Sequence, residues 1–321
     1  SASTALAQAP RFVAAPQAFV TGEASDATLG IAHYLCVDEN TLNRNKLDGI
    51  DAIRREFTEH VRALRAAGDR ASVERAGVVE MCMAYVLDQE AGSLARLFQH
   101  EEHMMMDCNR NGALMPERLN PTTGRGMVLA DFASHADAQE ARLTPAHVAG
   151  LRLYTSAAYN SINEPLRNVS RFREGRPHPL AVTVAFIDEA ARRLKRVSSH
   201  RPHANEPRPL YRGMRNIDMP EAFKRNGGTE LAPMSATFDL DTAMHFATGG
   251  ARATVMRIHN LDWTDRGADL RFLSCYPNEE ESLFSPLTFL RCRAIDGEPP
   301  TIETAGGVTF SVLDVETRQL T

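Results

Sequence analysis

The chain has few cysteines, no apolar run long enough to cross a bilayer, and none of the glycine signatures of the common nucleotide folds. Cys36, Cys82, Cys108, Cys275 and Cys292 are scattered and odd in number, and they form no C-x-x-C pair. That excludes a disulfide framework and a structural zinc site. Cys275 and Cys292 fall where two strands are expected to lie side by side, but unpaired buried thiols fit the spacing better. A reducing compartment such as the cytoplasm is therefore favoured over secretion. The short apolar stretches exclude a transmembrane helix. No G-x-G-x-x-G opens a helix and no P-loop occurs, so a doubly wound dinucleotide fold is not expected. With a net charge of −5 the chain lacks the basic footprint that a nucleic-acid partner would need. The first residue is a serine, which fits a processed or trimmed form. Oligomeric state is not written in the sequence.

The 321 residues, 43% hydrophobic and 24% charged, suffice for one large domain or two modest ones. Residues 1–28, rich in Ala, Pro, Ser and Thr, lack any period and are expected to form a flexible tail. Residues 29–120 form an N-terminal helical region, with Phe57, Val61, Leu64, Val73, Val78, Met81, Tyr85 and Val86 at roughly helical spacing. Residues 119–127 contain Pro121, Gly124 and Gly126 and connect this region to a catalytic domain, 121–321. Thr144-Pro145 opens a helix by a capping threonine and a proline at the first helical position. That helix is expected to end before Pro165, with Tyr159 and Asn163 one turn apart on one face. A second helix runs from about Leu180 to Val197 and ends in a basic run suited to its dipole. The later sequence reads as strands around 210–213, 230–238, 253–258, 270–273, 284–295 and 308–315, with a helix at 241–247. Helices first and strands later predict an α+β fold.

Two stretches imitate metal sites. His100-Glu101-Glu102-His103 spaces its histidines by three, whereas a zincin helix needs four. Asp107-Cys108-Asn109-Arg110-Asn111-Gly112 begins like a calcium loop, but its twelfth position, where a bidentate Glu belongs, is Arg118. No metal is expected. Asn168-Val169-Ser170 is a glycosylation sequon that matters only in a secreted chain.

The chemistry concentrates in Tyr276-Pro277-Asn278-Glu279-Glu280-Glu281. On a strand, Glu279 and Glu281 would point one way and Glu280 the other. Two like charges on one face gain nothing for folding, so a cationic or electron-deficient partner is expected. Upstream lie Tyr211-Arg212-Gly213 and Met234-Ser235-Ala236-Thr237. In this order the three motifs resemble the Arg, Ser-Thr-Ser and Glu-x-Glu series of the R-S-E class of mono-ADP-ribosyltransferases, and look nearest its eukaryotic members. Tyr154-Thr155 with Tyr159 and Asn163 resembles the helix that lines that family's NAD cleft. The resemblance covers roughly residues 128–295. One departure is Ala236, which stands at the central threonine; Thr237 retains a hydroxyl at the third position.

The resemblance implies an ADP-ribosyltransferase fold, two packed β-sheets around an NAD cleft with helices outside. It implies transfer of ADP-ribose from NAD to arginine side chains of proteins, with release of nicotinamide and without a metal. Glu281 would stabilise the charge that develops at the ribose. Ser235 would orient Glu281, and Arg212 would clamp the pyrophosphate. Gly213 would admit the nicotinamide amide, while Tyr154, Tyr159, Asn163 and Thr237 would border the nucleotide. Glu279 would bind the acceptor guanidinium and act as its base. Burying two close carboxylates should raise the pKa of one of them. Two alternatives remain at this stage: an NAD glycohydrolase with water as acceptor, and an inactive NAD-binding module, for which Ala236 is the only support.

Overall fold

The computed structural model describes residues 30–88, 106–109, 113–199, 208–217, 219, 221–249, 253–259, 266–293, 301–303 and 307–319. The expected tail, the His100–His103 stretch, the segment 110–112 and most of the 200–209 loop lie outside these residues.

Helix α1 (Ile31–Leu35) and α2 (Glu39–Lys46) lead into an antiparallel pair, α3 (Ile50–Ala67) and α4 (Arg70–Met83). Ile53, Phe57 and Val61 recur every four residues and form the buried stripe of α3. Gly68 ends α3 in the left-handed conformation (φ 75°), and Asp69 then caps α4 by accepting from the Ser72 amide at 2.9 Å. After the short helices α5 (Leu129–Ala133) and α6 (Ala136–Glu140) comes α7 (Pro145–Thr155), opened by Thr144 and Pro145 as expected. Here the prediction of one continuous helix fails. The chain breaks at Ser156 and restarts as α8 (Tyr159–Arg167), which contains Pro165 instead of ending before it. The Ser156 hydroxyl explains the break: it donates to Leu153 O at 2.7 Å and accepts from the Ala158 amide at 3.2 Å, replacing helical bonds. Then follow α9 (Val169–Arg173) and α10 (Ala181–Ser198). The first turn of α10 has no side-chain cap of its own; Glu56 from α3 accepts from the Val182 and Thr183 amides at 2.7 and 3.0 Å.

The strands are β1 (Leu210–Arg215), β2 (Gly228–Glu230), β3 (Met234–Thr237), β4 (Ala253–His259), β5 (Ala268–Asp269), β6 (Glu281–Phe284), β7 (Thr288–Cys292), β8 (Thr301–Glu303) and β9 (Thr309–Gln319), with α11 (Glu221–Asn226) and α12 (Leu240–Ala247) between them. Their order is β2-β7-β9-β4-β1-β3-β6-β5, with β8 on β9, and among the described residues only β4–β9 is parallel. The architecture is α+β. The two sheet portions are continuous through a narrow seam, the pair Tyr211↔Thr237 between β1 and β3. Across it the portions fold over one core: Met234, Ala236 and Phe284 from β3 and β6 meet Leu210, Met214, Met256, Ile258, Leu290, Leu313 and Val315. The other face of β3–β6 packs Leu283 into a core shared with the helices, which runs from Leu35 through Ile162 and Leu194 to Ala268 and Leu273. The helical region at 29–120 thus contributes to the same core as the later segments, and a truncation at 120 would strip away one wall of it.

Two local expectations are corrected. Residues 270–273 form a turn following β5, not a strand, and Glu279 does not lie on a strand. Pro277–Glu279 is one turn of 3₁₀ helix, and Glu280 sits in the left-handed region (φ 45°, ψ 46°) before β6 starts at Glu281. Proline at the first position favours that turn. The alternation of faces along 279–281 therefore does not apply.

Candidate active site

Glu281 opens β6 opposite Thr237 and is 7% exposed. Both of its carboxylate oxygens are held by serines. Ser235 Oγ donates to Oε1 at 2.5 Å, and Ser274 Oγ donates to Oε2 at 2.9 Å. Burial raises the carboxyl pKa, while the two hydroxyls and the Arg212 charge act in the opposite sense. Ser235 is the contact that the sequence pointed to. Ser274 is new: a lone serine in a turn, seven residues upstream, carries no signal of its own.

Arg212, on β1, reaches across the seam and donates to the backbone carbonyl of Ser235. Arg212, Ser235 and Glu281 are thereby brought together. Gly213 has a packing reason for being glycine. A Cβ there would come within 1.9 Å of Ala243 O and 2.8 Å of Ala247 N, because the backbone of α12 lies against this residue. Gly213→Ala is expected to push α12 off the sheet and cost about 1–3 kcal/mol. A fall in the denaturant midpoint at constant m-value would register it.

Thr237 has a task that the sequence did not disclose. Its hydroxyl donates to the carbonyl of Glu279 at 2.5 Å and accepts from the Asp239 amide at 3.0 Å, tying the 3₁₀ turn to β3. Glu279 stands on that turn, half-buried, and burial together with the neighbouring Glu281 charge pushes its pKa up to about 8. On the same turn Glu280 faces Arg208, 3.6 Å away, whose guanidinium also lies over the Phe238 ring.

Tyr154, on α7, is buried. Its hydroxyl donates to Pro233 O at 3.0 Å and lies 3.1 Å from Ser235 Oγ, so it braces the serine from behind. Tyr159 is 37% exposed at the start of α8, while Asn163, one turn on, is 3% exposed. Among the described residues the side-chain carbonyl of Asn163 has no hydrogen-bond partner, and neither has the buried Ser161 hydroxyl. A buried acceptor left unmatched costs stability, and this one is sealed from solvent as the side chain stands. Arg167 anchors the far end of α8 to β2 through a two-pronged bond to Glu230 (2.9 and 3.1 Å). This pair was also invisible in the sequence.

Ala236 alternates away from Ser235 and Thr237 and is packed in the core between the sheet portions. The departure from Ser-Thr-Ser is therefore on the face opposite Glu281. At the calcium-like loop, the Asp107 carboxylate is taken by Arg118, at 2.8 Å, the very residue that replaces the twelfth-position ligand. The described residues hold no His, Cys, Asp or Glu grouping suited to a metal, and the five cysteines are free. No described helix is long and apolar enough to cross a membrane.

No protein-family model matches the chain, and no curated protein does. Solved structures to which it is similar are ADP-ribosyltransferases. HopU1 of Pseudomonas syringae pv. Tomato is 21% identical, with 60% of this chain and 88% of that chain covered and a TM-score of 0.42. Exoenzyme S from Pseudomonas aeruginosa, solved with human 14-3-3 protein beta and carba-NAD, is 22% identical over 58% of this chain and 86% of that chain (TM-score 0.38). The eukaryotic mono-ADP-ribosyltransferase ART2.2 is 16% identical over 55% of this chain and 68% of that chain (TM-score 0.38).

Proposed function

We propose that this chain is a mono-ADP-ribosyltransferase of the R-S-E class that moves ADP-ribose from NAD to arginine side chains of proteins and releases nicotinamide. One observation carries the reading: a buried carboxylate, Glu281, held at both oxygens by serines, with Arg212 beside it and a second carboxylate, Glu279, on the adjoining turn.

The roles follow from chemistry. As the bond between the ribose anomeric carbon and the nicotinamide nitrogen breaks, nicotinamide leaves with the electron pair and positive charge grows on the ribose. Glu281 is fixed before the reaction and needs no reorganisation to face that charge. Ser235 and Ser274 hold it, and Tyr154 backs Ser235. Arg212 would receive the phosphates, as a planar guanidinium suits. Tyr159 offers its exposed ring to the nucleotide, and Asn163 would meet it once its buried carbonyl is uncovered. Glu279 takes the proton as a guanidino nitrogen of the acceptor attacks the anomeric carbon. With Ala236 turned into the core, the inactive-module reading loses its support.

The test uses NAD labelled in the ADP-ribose moiety, with and without agmatine as a free guanidino acceptor, while nicotinamide is followed in parallel. Wild type is expected to label agmatine. Glu279→Gln is expected to lose labelling while it still releases nicotinamide to water. Because Glu279 must be ionised to act as base, agmatine transfer by wild type should rise with pH through a group near 8, and that limb should be missing from the residual activity of Glu279→Gln. Nicotinamide release by wild type with no acceptor labelled at any pH would make the chain a glycohydrolase instead.

A further inference from the structure

The first and twelfth positions of the calcium-like loop, Asp107 and Arg118, belong to a buried node, and that node grips the turn that carries Ser274. Asp107 and Arg118 are each 2% exposed and Arg152 is 3% exposed. Arg118 donates to Asp107 Oδ1 at 2.8 Å, Arg152 donates to Oδ2 at 2.5 Å, and the Tyr85 hydroxyl donates to the same carboxylate. Other N–H groups of the two guanidiniums reach consecutive carbonyls of one turn. Arg118 donates to Arg271 O (2.7 Å), Phe272 O (3.0 Å) and Ser274 O (2.9 Å), and Arg152 donates to Leu273 O (2.8 Å). The Asp107 amide then donates to Cys275 O at 2.7 Å, and the Cys275 amide to Thr155 Oγ1 at 3.0 Å.

Every carbonyl from 271 to 275 is thus held by a group from 107, 118 or 152, and Ser274 sits inside the run with its hydroxyl on Glu281. For stability alone this is a poor design. Buried ion pairs recover little more than their desolvation cost, and apolar side chains of similar volume would serve as well. What the node supplies is position: five consecutive carbonyls at fixed points, and one hydroxyl aimed at one carboxylate oxygen.

We propose that Asp107, Arg118 and Arg152 are positioning residues for Glu281 that act through Ser274, so that these three side chains are part of the catalytic architecture. The catalytic consequence rests on the reading of Glu281 given above. The other groups facing Glu281 are Arg212 from β1, Tyr154 from α7 and Glu279 from the adjoining turn. Tyr154 shares α7 with Arg152, and the Glu279 turn is tied to Ser274 through Tyr276, whose amide donates to Ser274 Oγ at 3.1 Å while its carbonyl accepts from the Glu279 amide at 3.0 Å. The variants leave the side chains of Arg212, Tyr154 and Glu279 themselves unchanged.

The experiment has two arms on the full chain. In the first, the Glu281 carboxyl is titrated by carbon-13 NMR, its signal identified by its loss in Glu281→Gln. In the second, nicotinamide release from NAD is measured. Ser274→Ala and Asp107→Asn are each expected to raise the Glu281 midpoint, because the donor that favours the ionised form is lost or misdirected. Each should lower kcat roughly ten- to a hundredfold, with KM for NAD little changed. The double variant should be no worse than the worse single one, since both act through one hydroxyl. Ser274→Thr should restore both readouts. Arg118→Lys, which keeps the charge and loses the fork on three carbonyls, stands in where Asp107→Asn does not fold. A node variant that melts lower but leaves the Glu281 midpoint and kcat at wild-type values would overturn the proposal and make the node scaffold only. If wild type releases no nicotinamide yet the midpoint still shifts in Ser274→Ala and Asp107→Asn, the transferase reading fails and the positioning stands.

Discussion

Glu281→Gln is expected to lower nicotinamide release by at least about 10²–10³-fold while NAD still binds and the fold becomes no less stable. The substitution keeps the shape of the side chain, and the amide can still meet the hydroxyls of Ser235 and Ser274. What it removes is the fixed negative charge. The stability effect has the opposite sign, and the reason lies in proton linkage. Burial raises the Glu281 pKa above its ordinary 4.5, so the folded chain binds that proton more tightly than the unfolded chain does. The group's favourable contribution to folding is complete below pH 4.5 and is lost as pH rises through the folded-state value. Once ionised, the buried carboxylate weighs against folding, and a neutral amide relieves it. Activity and stability moving in opposite directions at one position is the signature of a site residue as opposed to a core residue. Rapid quench of nicotinamide release, NAD binding by calorimetry and a urea titration read the three quantities separately. A variant that kept a tenth of wild-type turnover would remove Glu281 from the chemistry.

How far the site could be read from sequence depends on how local each contact is. The Ser235–Glu281 bond was legible through the family resemblance, because each of its two motifs is a run of a few adjacent residues. The α+β order and the Thr144-Pro145 helix start were legible for the same reason, since capping and periodicity are properties of a few adjacent residues. Ser274 was not legible: nothing about a single serine in a turn announces that Arg118, more than 150 residues earlier, has fixed the carbonyls around it. Glu279 was placed on a strand because three glutamates in a row invite a period-two reading, but Pro277 and the left-handed Glu280 impose a turn. The break at Ser156 was missed because a serine in a helical window looks neutral until its hydroxyl competes for backbone bonds. Gly213 was given a ligand-facing role, yet its missing side chain faces the backbone of α12. Such packing reasons belong to the tertiary structure and leave no mark on the pattern.

Arg167→Met should have the largest effect on stability, about 3–5 kcal/mol, read as a lower urea midpoint. Glu230 is fully buried, and Arg167 answers both of its oxygens. Its one further described donor is the Ala232 amide at 3.1 Å. Without the guanidinium a carboxylate would be left in the interior with one neutral donor, which is the costly half of a buried pair. Replacing both partners by methionine removes the uncompensated charge, so the double variant should regain most of the lost stability. Its binding of NAD should not recover. Arg167 ties the end of α8, which carries Tyr159 and Asn163, to β2, and the turn that follows β2 supplies Pro233 O, the acceptor for the Tyr154 hydroxyl. An apolar pair can fill the space but cannot set the rotation of α8 against β2 as a two-pronged bond does. The expected outcome is a double variant near wild type in urea, with KM for NAD raised and kcat less affected. Recovery of KM together with stability would show that the pair serves the fold alone, and would leave the orientation of Asn163 to the packing of Ile162 and Leu166 in the core.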